Sequence, residues 1–140
     1  MAVTYFTVTQ ANKTLPLVKR IVADILEDYR VWRDLMRQFE LLSADATDES
    51  GESEEQKTLR TQVDDAAHRI SSCMDELAQI GCVFKGFEQG LVDFHSKRDD
   101  RDVLLCWKHG EPAVEHWHEL EGGFDGRQPV ESESFQEDGS

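Results

Sequence analysis

LPLVKRIVADILEDYRVWRDLMRQFE, Leu15 to Glu40, carries apolar residues at Leu15, Val18, Val22, Ile25, Tyr29, Trp32, Met36 and Phe39. The steps alternate between three and four residues without a miss, the heptad seam of a helix that packs against another helix. A second run, Leu59, Val63, Ala66, Ile70, Cys73, Leu77 and Ile80, repeats the alternation. Ser53 with Gln56 three residues later supplies a capping box at its start, and Gly81 supplies a left-handed residue at its end. Each helix should span about 28 residues, roughly 42 Å at 1.5 Å per residue. Equal lengths joined by the acidic, mobile stretch 43–52 predict a coiled-coil-like antiparallel helical hairpin. Upstream, Thr7 to Asn12 offers hydroxyl caps for a short helical turn. Pro16 is then expected to interrupt the chain, with a kink near Thr14 and a new helix beginning at the proline.

After Gly81 the apolar period changes. Cys82 to Phe87, Leu91 to His95 and Val103 to Trp107 are short runs rich in β-branched and aromatic residues. Glu88-Gln89-Gly90 and the polar residues 97–102 separate them at hairpin-like distances. The fold class is therefore α+β: a long helical hairpin carrying a small three-stranded antiparallel β-meander and a short C-terminal segment. The domain organisation follows as a single domain over 1–130, with the hairpin in 9–80 and the meander and site segment in 81–130. An acidic disordered tail, 131–140, completes it.

Charge and cysteine usage narrow the function classes. The net charge of −14 is concentrated, because 43–55 and 131–140 together hold ten of the 29 carboxylates and no Lys or Arg. The remainder is near −4, an ordinary surface balance with no basic stripe to neutralise phosphates, so no nucleic-acid partner is expected. Cys73, Cys82 and Cys106 are odd in number and form no CxxC pair, which fits a reducing, cytoplasmic setting better than a disulfide framework. Nothing in the chain reads as a signal peptide or an eighteen-residue apolar span, and no membrane association is expected. The absence of a Gly-rich phosphate loop argues against a nucleotide cofactor.

The densest chemistry lies in Gly110-Glu111-Pro112-Ala113-Val114-Glu115-His116-Trp117-His118-Glu119. If Pro112 starts a helix, Glu111, Glu115 and His118 share one face at offsets of zero, four and seven. If the segment is extended, His116 and His118 share a face at period two and could hold one ion together. Asp93, between Val92 and Phe94 on a strand, needs a hydrogen-bond donor or a cation, and is the best partner from elsewhere. Arg127 or Lys85 could supply that charge for stability alone. Cys106, inside Leu-Leu-Cys-Trp, reads as a buried, inert thiol.

Gly90-Leu91-Val92-Asp93-Phe94, Val103 to Trp107, Gly110-Glu111-Pro112, Trp117-His118 and Gly123-Phe124-Asp125-Gly126-Arg127 together resemble the bacterial family known as domain of unknown function 2203. The opening Phe6-Thr7-Val8 through Leu15-Pro16 is similar to the start of that family. The resemblance implies a shared fold and no activity. Asp93, Glu111, Trp117 and His118 match its pattern. His95, His109, Glu115 and His116 depart from it, as does Gly86, which follows Lys85 where an acidic residue is expected.

Two functions compete. One is a protein that binds a divalent transition metal (zinc, iron or manganese) through Glu111 and His118, with Asp93 as third ligand and His116 in reserve. The other is a protein-interaction module whose exposed helical seam pairs with itself as a homodimer or with another helical protein.

Overall fold

The computed structural model describes residues 3–44 and 51–130. Helix α1 (Val8–Ala44) and helix α2 (Glu54–Ile80) form the hairpin. Both begin with the same device. Thr7 Oγ1 accepts from the Gln10 amide at 3.0 Å while Gln10 Oε1 accepts from the Thr7 amide at 2.9 Å. Ser53 and Gln56 repeat this reciprocal pair at 3.1 and 2.7 Å. Gly81, at φ 112°, ends α2 in the left-handed conformation. Antiparallel pairing is recorded by an Asp28–Arg69 ion pair of 3.2 Å near the middle and a Gln56–Ser43 hydrogen bond of 3.2 Å toward the connection.

Pro16 does not interrupt the chain: α1 runs through it for 37 residues. A proline inside a helix removes one hydrogen bond and costs about 3 kcal/mol or more. The early turns are held by other means. Ala11 and Leu15 are buried, and the Asn12 amide clamps Val114, accepting from its N–H at 2.7 Å and donating to its carbonyl at 3.3 Å. The helix is thereby tied to the other end of the domain before the proline is reached.

Five antiparallel strands follow in sheet order: β1 (Cys82–Gly86), β2 (Leu91–Arg98), β3 (Arg101–Lys108), β4 (His116–Glu119) and β5 (Gln128–Pro129). The expected three-stranded meander is thus the first part of a larger sheet, because the site segment is extended and pairs with β3. Residues 97–102 are not a loop. Lys97 pairs with Asp102 and Arg98 with Arg101, leaving a two-residue turn at Asp99 and Asp100. Both have positive φ, 53° and 65°, the hairpin turn that matches strand twist and that aspartate tolerates. Gly90 closes the β1–β2 turn at φ +65°, where an added Cβ would lie 2.7 Å from that of His109.

One sheet face packs on the base of the hairpin. Phe84, Val92, Phe94, Val103, Leu105, Trp107 and Trp117 join Leu15, Val18, Ile21, Val22, Ile25, Ile70 and Leu77 in one buried cluster. Phe6 extends the sheet beyond β1, donating its amide to the His95 carbonyl at 2.8 Å and accepting Ser96 Oγ at 2.6 Å. Beyond Ile25 the α1 seam is only half-buried at Tyr29, Trp32, Met36 and Phe39, since no strand lies under it. No helix among the described residues is long and apolar enough to cross a membrane. Of the connecting stretch 43–52, expected to be mobile, residues 45–50 lie outside the described residues, as does the tail 131–140, expected to be disordered.

Candidate metal centre

Period-two alternation sends Asp93, Cys106 and His118 to the sheet face turned away from the helices. The register sets them side by side: Asp93 is opposite Cys106, and Leu104, the next same-face residue on β3, is opposite His118. The carboxylate, thiol and imidazole offer ligand atoms that all lie within 4.8 Å of one another. All three residues are buried, at 5%, 1% and 2% exposure. Gly122 packs over His118, leaving only 3.4 Å between an added Cβ and that of His118.

The tautomer of His118 follows from its partners. Its Nδ1 lies 2.7 Å from the Glu119 carbonyl, which can only accept, so Nδ1 carries a hydrogen. Nε2 then faces Asp93 Oδ1 at 3.2 Å. A carbonyl-bound Nδ1–H with Nε2 turned toward a carboxylate and a thiol is the orientation seen in metal-ligating histidines. Cys106 hydrogen-bonds Asp93 with its thiol, and burial, then the Asp93 charge, push that thiol up to about 12. The free protein therefore holds Cys106 protonated, and it is inert as a nucleophile at neutral pH.

Glu111 and His116 belong to a neighbouring cluster. Arg127 Nη2 donates to both Glu111 oxygens, at 2.6 and 2.9 Å, and the Lys108 amide donates to Oε1 at 2.7 Å. Arg127 also contacts His116 Nδ1 at 3.0 Å, and because a guanidinium only donates, that nitrogen is the acceptor. Burial raises the Glu111 carboxyl, but the hydrogen bonds from Arg127 and Lys108 and the Arg127 charge outweigh it and hold the group below 4.5.

Of the four residues singled out by sequence, the fold brings Asp93 to His118 and engages Glu111 and His116 with Arg127. The helical alternative for the segment is excluded by β4. In the extended alternative His116 and His118 do share a face, yet they turn to different partners. Lys85 and Arg127 are not what satisfies Asp93. Cys106 is the residue that sequence reasoning passed over. Its signal is the Asp99-Asp100 turn, because counting back two-for-two from that turn pairs Cys106 with Asp93.

The family profile described as "Uncharacterized conserved protein (DUF2203)" matches residues 4–130. No curated protein and no solved structure matches the chain.

Proposed function

Because the chain belongs to that uncharacterised family, its function must be argued from the site, and we propose that it binds one divalent transition metal through Asp93, Cys106 and His118. The observation that carries this is the orientation of His118. With Nδ1–H committed to the Glu119 carbonyl, Nε2 faces a buried carboxylate at 3.2 Å, and either a second proton or a cation has to lie between them. A metal ion satisfies imidazole, carboxylate and thiolate at once. Zinc and ferrous iron suit this mixed donor set better than manganese, because thiolate is a soft ligand. Calorimetric titration of metal-free protein with zinc is the test. His118→Ala, Cys106→Ser and Asp93→Asn should each weaken binding, while Glu111→Gln should bind as the wild type does. Loss in Glu111→Gln with retention in Cys106→Ser would return the ligand set to Glu111, His118 and His116.

One observation favours a second reading, a helix-pairing module acting as a homodimer. Past Ile25 the hairpin leaves Trp32, Met36 and Phe39 half-buried, and Leu35 and Leu42 widen the apolar stripe beyond a two-helix seam. Sedimentation equilibrium tests it: a dimer mass that Trp32→Glu with Phe39→Glu converts to a monomer supports pairing through this arm, and a monomeric wild type removes it.

A further inference from the structure

We propose that His95 is a fourth ligand, so that the metal is enclosed by four side chains and ties β2, β3 and β4 together instead of activating a water molecule. This rests on the metal reading above and goes beyond it by assigning the kind of site.

Position comes first. His95 follows Asp93 by two residues on β2 and so lies on the same sheet face. The register runs His95 to Leu104 to His118 across the three strands. Two strand spacings separate the histidine backbones by roughly 10 Å, a span that two imidazoles close through one ion at about 2.0–2.1 Å per bond. Freedom comes second. His118 and His116 are both engaged through their rings, but among the described residues no hydrogen bond or ion pair holds the half-buried His95 imidazole. It is outside the three-atom cluster, so ligation would require its ring to turn toward the ion.

Charge and access agree. A carboxylate and a thiolate already neutralise a divalent ion, and a buried site then calls for a neutral fourth donor, which imidazole is and another carboxylate is not. The cleft of 490 Å³ beside the Gly122–Asp125 turn is lined by none of the three clustered residues, nor is the 480 Å³ cleft at Val8 and His116 lined by Asp93, Cys106 or His118. A site with four protein ligands leaves no position for a water molecule and has the form of structural zinc centres, whereas catalytic ones keep an open position.

Cobalt(II) in place of zinc reports coordination number in its visible spectrum, because four-coordinate tetrahedral cobalt absorbs far more strongly than five- or six-coordinate cobalt. The wild type should show the intense tetrahedral bands with a thiolate charge-transfer feature. His95→Ala should lose much of the visible intensity, keep the thiolate feature and bind cobalt on the order of a hundredfold more weakly. Added imidazole should restore the bands in that variant, with helix content by circular dichroism unchanged throughout. Wild-type spectrum and affinity in His95→Ala would overturn the fourth ligand and leave the three-residue site standing with an open position. A wild type that takes up neither cobalt nor zinc would overturn both.

Discussion

The most buried residues on the two faces of the sheet lie at a similar depth but in opposite chemistry. Toward the helices, Val92, Phe94, Val103, Leu105 and Trp107 are at most 1% exposed, and the one polar side chain among them, Ser96, donates to the Phe6 carbonyl. Toward the covering turn, Asp93, Cys106 and His118 are at most 5% exposed. Removing apolar surface from water explains the first face by itself. On the second, desolvation opposes folding unless the groups satisfy one another or a cation joins them. Burial alone therefore does not separate core from site; the donor inventory of each face does.

The largest effect that tests this contrast is expected on the helix-facing side. Phe94→Ala removes a fully buried ring packed edge-to-face on Phe6 at 5.2 Å and should cost about 3–5 kcal/mol in urea unfolding, with the m-value unchanged. A loss below about 1 kcal/mol would mean that this face is not the core. Ile25→Asp combined with Ile70→Asp, across the hairpin base, should leave no folded protein at all, since uncompensated buried charge costs several kcal/mol.

On the opposite face the expected effect depends on the ion. Zinc at about a hundred times its dissociation constant should stabilise the wild type by about 2.7 kcal/mol and raise its melting temperature accordingly. Cys106→Ser and His118→Ala should show little of that gain. The pH dependence has a definite sign. The Cys106 thiol, near 12 in the free protein, must lose its proton to become a ligand, so affinity should rise about tenfold per pH unit for that proton alone. A binding constant flat between pH 7 and 9 would remove Cys106 from the ligand set.

How much of this was legible in the sequence depends on whether a feature was periodic or relational. The helices were, because the three-four alternation and the Ser53-x-x-Gln56 box are local patterns, whereas the matching Thr7-x-x-Gln10 pair emerged only in the structure. The strands were also legible as β-branched runs, but their register depended on a turn hidden in Ser-Lys-Arg-Asp-Asp-Arg-Asp, where charge suggests a loop and two aspartates at positive φ make a tight hairpin. Cys106 was lost with that register. Pro16 misled because its cost is local while its compensation, the Asn12 clamp on Val114, spans 102 positions of sequence. Proximity in sequence also overstated the 111–118 cluster. A strand splays its neighbours apart, and Arg127, sixteen residues past Glu111, decides where that carboxylate goes.

The smallest expected effect lies at the border between the two clusters, in the Glu111–Arg127 pair. Both Glu111 oxygens meet the same guanidinium nitrogen, and Arg127 Nε is buried without a partner. The pair is therefore not the two-pronged fork that gives arginine its strongest contacts. Glu111→Gln keeps the volume, weakens a charged hydrogen bond and should cost about 1–2 kcal/mol at neutral pH. With its folded value held below 4.5, Glu111 contributes stability that is fully present above 4.5 and lost as pH falls through the folded value. Glutamine cannot titrate, so the gap between variant and wild type should narrow as pH is lowered from 5 toward about 3. Urea unfolding at several pH values in this range measures it. Parallel stability curves would show that the carboxylate titrates alike in both states, and would take the pair out of any account of what holds the covering turn over the site.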